Sequence, residues 1–181
     1  DLWNAKGKSL VVAGGNDKNI QLIVNAINDL LGNFGITIDF TKRSYLKQGN
    51  DADVATLLND MKAGNVGTLI AYNVNPVYNL ADGITFGEAL SNVDMSISFS
   101  DRKDETASLV NFVCPDHNYL ESWGDANPYT GVYTLIQPTI RPLFNSRQAQ
   151  VSLMKWSDLG EDYYAFVKNY WKKNIRMERA D

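Results

Sequence analysis

The sequence predicts a three-layer α/β/α fold with a mostly parallel, five-stranded sheet that carries helices on both faces. Short apolar runs closed by turn-forming residues alternate with segments of helical periodicity as far as residue 113. This alternation favours parallel strands joined by helices. A long aperiodic stretch and two helical segments complete the chain. Its 181 residues suit one domain with a sizeable core, so we expect residues 1–181 to form a single domain.

Composition and charge narrow the class of protein. Hydrophobic residues make up 44% of the chain and charged residues 21%, as in ordinary soluble globular domains. The formal net charge is −4 and no basic stripe occurs, so we expect no binding to nucleic acid. No apolar run reaches the ~20 residues that a transmembrane helix needs. Direct membrane insertion is therefore not expected.

The chain contains one cysteine, Cys114, and one histidine, His117. A lone cysteine cannot form an intramolecular disulfide or hold zinc or an iron–sulfur cluster by itself. No G-x-S-x-G motif accompanies the histidine, which we expect to hydrogen-bond within its own loop. Glu121 and Asp125 flank Trp123, but two carboxylates in a loop indicate acid–base chemistry only weakly. We expect the chain alone to hold no cluster and to catalyse no electron transfer.

The five strands are predicted from apolar runs or alternating patterns at residues 9–14, 36–40, 68–72, 95–100 and 109–113. A helix after the first strand should have Asn16 or Asp17 as its N-cap and should end at Gly32 or Gly35. The Gly-rich turn before it matches neither the dinucleotide fingerprint nor a P-loop. We therefore interpret it as a capped turn without ligand contact.

Further helices are predicted between and after the strands. Asp51 should cap one that stops at Gly64, residues 85–88 have capping-box spacing, and residues 104–107 should start another. Residues 115–142 lack periodicity, and we expect this loop to be functional or ordered by packing. Two helices close the chain, the first capped by Ser146. The second bears an aromatic stripe that we expect to be buried on the sheet, with Trp171 at the margin; the stripe comprises Tyr163, Phe166, Val167 and Tyr170.

The third strand ends in Asn-Val-Asn-Pro, residues 73–76. Pro76 has no N–H and biases Asn75 away from helical geometry, so the strand must end there. Loops at the carboxyl ends of strands line the ligand crevice in open α/β sheets. Asn73 and Asn75 are therefore candidate binding residues. The alternative is that they only bridge the backbone of the turn.

The order of several segments resembles molybdopterin oxidoreductases of the dimethyl sulfoxide reductase superfamily. These segments are the Asn75-Pro76 pair after a strand and residues 98–101, 105–107, 111–115, 119–123 and 137–142. The run Pro-Asp-His-Asn-Tyr-Leu-Glu-Ser-Trp-Gly-Asp resembles one branch, the molybdopterin-oxidoreductase-like iron–sulfur subunit of alternative complex III. The resemblance extends from Gly7 to about Tyr170, and it rests on order and spacing rather than on any single motif.

This resemblance implies a contact with one molybdopterin guanine dinucleotide through loops at the strand ends. The positions that match are Asn73, Asn75, Pro76, Asp101, Glu105 and Thr106. A carboxylate such as Asp101 can accept from both N1–H and N2–H of guanine. In the alternative complex III branch the dinucleotide crevice is expected to be vestigial, and iron–sulfur clusters are expected elsewhere in the parent protein.

The resemblance also implies partners and a location. We expect the chain, which begins at Asp1, to be excised from a larger oxidoreductase subunit. Its partners would be the other domains of that subunit and the other subunits of a membrane-attached, quinol-oxidising complex. The parent is expected on the periplasmic side of the cytoplasmic membrane, as a peripheral protein. Two alternatives remain: a functional dinucleotide-binding domain of a molybdenum oxidoreductase, and a stand-alone module that binds a small molecule.

Overall fold

The helices and strands of the computed structural model cover much of the chain, and the structure describes residues 1–160 and 162–175. The α-helices in these residues are Lys18–Leu30 (α1), Asp51–Lys62 (α2), Pro76–Asn79 (α3), Gly83–Ala89 (α4), Ala149–Trp156 (α5) and Tyr163–Asn174 (α6). The strands are Thr68–Ala71 (β1), Met95–Ser98 (β2), Phe112–Val113 (β3), Gly124–Tyr129 (β4) and Val132–Ile136 (β5). Short 3-10 helices lie at Leu2–Ala5, Leu90–Asn92 and Tyr119–Glu121.

The described residues form a mixed α/β structure with a parallel, three-stranded sheet in the order β1-β2-β3. Thr68 pairs with Met95, and Ile97 pairs with Phe112. The strands β4 and β5 pair separately as a hairpin. The parallel arrangement is thus confirmed, whereas the prediction of five strands in one sheet is wrong. The layering of helices on both faces stays a prediction.

Two compact units make up the chain. The first comprises Asp1–Gln48 and Asn127–Tyr133, and the second comprises Gly49–Ala126 and the described part of Thr134–Asp181. The parallel sheet lies in the second unit. In the described part of the chain, no helix has the length and hydrophobicity that crossing a bilayer requires. The prediction of a single domain over residues 1–181 stays a prediction.

In the first unit, the strand predicted at residues 9–14 does not form. Nδ2 of Asn28 donates to the carbonyl of Val11 at 2.8 Å, and Oδ1 of Asn28 accepts the N–H of Val11 at 3.0 Å. Nε2 of Gln21 donates to the carbonyl of Ala13 at 3.1 Å. Side-chain amides of α1 therefore occupy backbone groups that a neighbouring strand would otherwise pair with.

The strand predicted at residues 36–40 is also absent, because the chain turns tightly around Asn33. The carbonyl of Asn33 accepts the N–H groups of residues 36, 37 and 38 at distances of 3.2, 2.9 and 3.0 Å. Gly35 supports this turn with a φ of +78°, a region that favours glycine. Of the two predicted N-caps, Asn16 and Asp17, the structure has Asp17, whose carboxylate accepts from two N–H groups at the start of α1. Gly32, with a φ of +62°, follows the end of that helix.

The core of the second unit forms where α2 and α4 meet. Its buried members are Leu58, Met61, Phe86, Ala89, Leu90 and Val93. Leu69 of β1 packs against this cluster and joins the helices to the sheet. Burial of each large aliphatic or aromatic side chain contributes about 1.5–3 kcal/mol. The helix α2 has Asn50 as its N-cap rather than the predicted Asp51, which lies in the first turn.

The three strands of the sheet are shorter than predicted, and at β2 and β3 side chains bond to backbone groups near the strand ends. Oδ1 of Asn111 accepts the N–H of Ser96 at 2.7 Å, so the ladder between β2 and β3 starts only at Phe112. At the other end of β2, Oγ of Ser98 accepts the N–H of Ser100 at 3.2 Å and turns the chain. The strand β1 ends at Ala71. The existence and direction of these strands were predictable, and their ends were not.

Residues 115–142 contain secondary structure, although their sequence shows no periodicity. A 3-10 helix with a capping box formed by Asn118 and Glu121 precedes the hairpin of β4 and β5. Gly131, with a φ of +78°, closes the hairpin turn. The sequence Gly-Asp-Ala-Asn-Pro-Tyr of β4 is poor in strand-forming residues and contains Pro128. Because of this composition, the sequence pattern did not predict β4 as a strand.

Three further predicted helix starts are wrong. The helix α4 begins at Gly83 rather than with the capping box of residues 85–88, and Asp82 is its N-cap. No helix starts at Asp104, and residues 105–109 form a turn instead. The helix α5 has Gln148 as its N-cap in place of Ser146. In the second case, Oδ1 of Asp104 accepts the N–H of Ala107 at 2.7 Å and so caps a turn instead of a helix, which is a common alternative for Asp.

The aromatic stripe of α6 is only partly buried. Val167 is 6% exposed, whereas Phe166 and Tyr170 are 45% and 50% exposed. The helix packs against α5 and directs Tyr164 towards the ring of Trp123, with 4.7 Å between the ring centroids. The prediction that the whole stripe is buried is therefore wrong.

We predict that Asn28→Ala lowers the free energy of unfolding by about 2–3 kcal/mol, because both backbone groups of Val11 lose their partner in a buried place. Asn28 is 2% exposed. Urea denaturation of the full chain measures the change. Asn25→Ala, at an exposed position of the same helix, is the matched control and should change stability by less than about 0.5 kcal/mol. Equal losses in both variants would contradict the role of Asn28.

Candidate functional site

A cleft of about 760 Å³ opens beside the loops that follow the three parallel strands. Residues 72–75 line it after β1, residues 99–102 after β2, and residues 116–119 after β3. Phe99 is 1% exposed and stacks on Trp156 at 5.6 Å, which anchors the loop after β2. Because parallel strands end at the same edge of a sheet, their loops converge there.

The six residues that the resemblance implies fall into two groups. Asn73, Asn75 and Asp101 line the cleft. Pro76, Glu105 and Thr106 are not among its lining residues, although Glu105 and Thr106 both bind Asn75. The structure thus brings together three of the predicted side chains. That any of the six binds a cofactor stays a prediction.

Asn75 ties the loop after β1 to the segment after β2. Its Nδ2 donates to Oε2 of Glu105 at 2.7 Å. Its Oδ1 accepts from Oγ1 of Thr106 at 2.7 Å and from the N–H of Thr106 at 3.2 Å. Oγ1 of Thr106 also accepts the N–H of Val77 at 3.1 Å, and Thr106 is fully buried. Asn75 therefore bridges two loops rather than only its own turn.

The backbone of Asn73 adopts a left-handed conformation, with a φ of +53°. Asparagine tolerates this conformation better than other non-glycine residues because its short polar side chain bonds locally. The conformation ends β1 and turns the chain towards Pro76, which occupies the first turn of α3.

The carboxylate of Asp101 forms an ion pair with the neighbouring side chain of Arg102. Nε and Nη2 of Arg102 donate to its two oxygens at 2.8 and 3.0 Å. This hydrogen-bonded pair holds the pKa of Asp101 below its ordinary value, so the group stays ionised. The Arg102 side chain is 78% exposed, so the pair is screened by solvent.

Asp116 connects the loop after β3 to the start of α5. Its Oδ1 accepts the N–H of His117 and the N–H of Ala149, each at 2.8 Å. Burial raises the pKa of Asp116, and the two backbone N–H groups counteract this effect. A carboxylate at this place also suits the positive end of the helix. Asp116 thus supplies the cap that Ser146 was expected to provide.

The His117 ring does not bond within its own loop, which corrects the prediction from the sequence. Its Nε2 lies 3.0 Å from the carbonyl oxygen of Ser146. A carbonyl only accepts hydrogen bonds, so Nε2 carries the proton. The two carboxylates near Trp123 are also structural: Glu121 accepts the N–H groups of Asn118 and Leu143, and Asp125 accepts from the Trp171 indole.

Sequence reasoning missed the lining residues that come from α5 and its N-cap. Nε2 of Gln150 donates to the Tyr72 hydroxyl at 2.7 Å. Nε2 of Gln148 donates to the carbonyl of Trp123 at 2.8 Å. Gln150 lies 78 residues along the chain from Tyr72, and no local pattern marks such contacts.

The charges of the cleft do not suit an anionic dinucleotide. Its lining contains one guanidinium, that of Arg102, and four carboxylates, those of Asp101, Asp104, Asp116 and Asp125. Phosphate sites in proteins present Arg, Lys or several backbone N–H groups. Four carboxylates repel a diphosphate instead. The described residues therefore do not fit the phosphates of a pterin guanine dinucleotide, and within them no group of three or more possible metal ligands occurs.

We predict that Thr106→Val lowers the free energy of unfolding by about 1–3 kcal/mol, because the N–H of Val77 and Oδ1 of Asn75 lose a buried partner. Thr106→Ser retains the hydroxyl and should lose less. Thr56→Val on the exposed face of α2 is the control and should change stability by less than about 0.5 kcal/mol. If Val and Ser at position 106 are equally destabilising in urea titrations, the hydroxyl is not the cause.

Asp116 should affect stability in a pH-dependent way. A pKa raised in the folded state adds stability below the unfolded pKa of about 3.9, and this contribution is lost as the pH rises through the folded pKa. Asp116→Asn keeps the oxygen acceptor but never ionises, so at pH ~7 it should be at least as stable as the parent chain. Asp116→Ala removes the acceptor and should cost about 1–3 kcal/mol. Urea titrations at acidic and neutral pH test both, and equal losses in the two variants would refute this account.

Over about half of its length, the chain is similar to a curated protein. No protein-family model matches the chain. Over 97 residues it is 34% identical to a curated protein named menaquinone reductase, molybdopterin-binding-like subunit, of Nitratidesulfovibrio vulgaris (strain Hildenborough). The match covers 51% of this chain and only 14% of that protein. The similarity supports a molybdopterin oxidoreductase-like family. It does not support the more specific assignment to a subunit of alternative complex III.

Proposed function

We propose that this chain is the α/β part of a molybdopterin oxidoreductase-like subunit in a membrane-attached, quinol-oxidising electron-transfer complex. Its role there is to scaffold the iron–sulfur domains, and its crevice at the strand ends is vestigial. The name of the similar protein, which is a subunit related to quinone chemistry, supports this class. The order of the sequence motifs supports the branch of alternative complex III.

The observation that carries the proposal is the internal pairing of the candidate binding groups. The Asn75 side chain uses its donor on Glu105 and its acceptor on Thr106. Both oxygens of Asp101 accept from Arg102. A ligand would have to displace these bonds, and each exchanged bond returns little free energy. Polar groups that satisfy one another suit a structural part better than a binding site.

The charge of the cleft also supports a vestigial crevice. The cleft lining contains one guanidinium and four carboxylates, and this excess of negative charge disfavours a diphosphate. The single cysteine of the chain suggests that any iron–sulfur cluster belongs to other domains of a longer subunit. We place that subunit on the periplasmic side of the cytoplasmic membrane, as a peripheral protein, on the strength of the resemblance.

A functional dinucleotide-binding domain is the second candidate. One observation favours it: Asn73, Asn75 and Asp101 line the same cleft, as the implied site requires. The exposed Arg102 side chain can rotate away and free the carboxylate of Asp101. Cationic groups for the phosphates would then have to come from other domains.

The longer protein that contains this chain should hold iron and no stoichiometric molybdenum. Elemental analysis of that purified protein, with nucleotide extraction, measures both. Asp101→Ala should leave the metal content unchanged, because a vestigial crevice holds no cofactor. Stoichiometric molybdenum that disappears together with its nucleotide in Asp101→Ala would overturn the vestigial crevice and establish the second candidate.

The chain itself should show no detectable binding of GDP or GTP by calorimetry at micromolar protein. Half of the implied dinucleotide site would lie in other domains, and every ~1.4 kcal/mol of interaction that the chain cannot supply weakens affinity about tenfold. Arg102→Ala should leave this result unchanged, because the remaining carboxylates still repel the phosphates. Binding that appears in Arg102→Ala would show that the ion pair alone blocks a functional guanine site.

A further inference from the structure

A second groove lies along α6, away from the loops that follow the sheet strands. Its volume is about 590 Å³, within the range of protein binding pockets. Apolar and aromatic side chains dominate its walls, together with two lysines and one glutamine. We call this surface the α6 groove and define it by Trp123, Leu135, Tyr164, Lys168, Trp171 and Lys172.

The aromatic walls of the α6 groove are held in place. Nε1 of Trp171 donates to Oδ2 of Asp125 at 2.7 Å. The rings of Trp123 and Tyr164 pack at 4.7 Å. Val167 at the base is buried. Fixed Trp and Tyr side chains around an apolar depression are typical of the centre of a protein interface, since little entropy is lost when a partner docks.

The charge of the α6 groove is opposite to that of the whole chain. The helix Tyr163–Asn174 contains three lysines and no carboxylate, whereas the chain carries a net charge of −4. Lys168 and Lys172 both line the groove, and neither forms a salt bridge with any residue that the structure describes. They are four residues apart, so they stand on one side of the helix with a rise of about 6 Å between them.

We propose that the α6 groove is the docking site for an acidic amphipathic helix of a partner protein. Apolar side chains of that helix would fill the depression beside Leu135 and Trp171, and carboxylates four residues apart would meet Lys168 and Lys172. This geometry corresponds to helix-in-groove recognition. Unlike the proposed role of the strand-end cleft, this proposal depends only on the surface formed by α6, Trp123 and Leu135 of β5.

A helix fits this surface better than an anionic bilayer does. Trp, Tyr and Lys also occur where proteins meet membranes, but a bilayer presents a broad surface rather than a narrow ridge. The α6 groove is a depression of about 590 Å³, which a row of side chains can enter. Side chains that project from a helix match such a depression in size, and carboxylates on the same helix match the two lysines.

The test uses the full chain and a synthetic helical peptide with leucines at i, i+3, i+4 and i+7 and glutamates on both flanks. Trp123 and Trp171 are two of the four tryptophans, so binding should shift the tryptophan emission to shorter wavelength. Calorimetry should give a dissociation constant in the micromolar range that rises with salt. The same peptide with lysine in place of glutamate should bind at least about tenfold more weakly.

Variants locate the interaction. Lys168→Glu with Lys172→Glu should weaken peptide binding at least about tenfold, because like charges then face each other. Lys8→Glu with Lys47→Glu makes the same change in net charge at exposed positions of the first unit and should alter affinity by less than about twofold. Leu135→Glu, at a position that is 55% exposed, should abolish binding without disturbing the core. Circular dichroism verifies that each variant is folded.

Several results would overturn the proposal. They are failure of the acidic peptide to bind, equal binding of both peptides, and equal losses of affinity in the two double-lysine variants. Vesicles of phosphatidylcholine with phosphatidylglycerol provide the remaining comparison. If the chain binds these vesicles through Lys168 and Lys172 but not the peptide, the surface recognises lipid headgroups and the proposed helix is wrong.

Discussion

The bond network of Asn75 is the interaction on which the second unit most depends. One side-chain amide joins the loop after β1 to Glu105 and Thr106, which lie after β2. The hydroxyl of Thr106 then holds the first turn of α3 through the N–H of Val77. Because Thr106 is fully buried, water cannot replace these bonds, and their loss would leave polar groups unpaired. The loops at the strand ends therefore keep one arrangement, and the shape of the cleft follows from it.

The first unit uses the same device in place of a sheet. Asn28 pairs with both backbone groups of Val11 in the manner of a neighbouring strand. Asn33 donates to Oδ1 of Asn28 at 2.9 Å and accepts from Ser9 at 3.2 Å. A primary amide carries the same donor and acceptor as a peptide group. Buried asparagines can thus satisfy an apolar segment whose sequence would otherwise suit a strand.

The candidate site was predictable in its position and not in its bonding. Asn73, Asn75 and Asp101 follow apolar runs, and the rule that strand-end loops converge placed them at one edge. The hydrogen-bond partners of these side chains were not predictable from the local sequence. Whether Asp101 faces a ligand or its neighbour Arg102 depends on a rotamer, and Asp116 reaches Ala149 across 33 residues. Periodicity carries no information about such distant pairings.

By itself, the sequence determined the helices of strong periodicity and the parallel strands β1 and β2, because burial of an apolar face depends on local spacing. The sequence also placed both ends of α1 to within a few residues, because helix caps depend on local residue types. Only the tertiary structure decided that residues 9–14 pair with the side chains of α1 instead of a strand. It also decided that β4, with its proline and asparagine, joins a hairpin. The backbone of residues 9–14 is bonded by side chains of a different element, and β4 pairs with β5 although its own composition disfavours a strand. A backbone hydrogen bond is satisfied equally well by a side chain or a strand, so local composition alone does not decide between them.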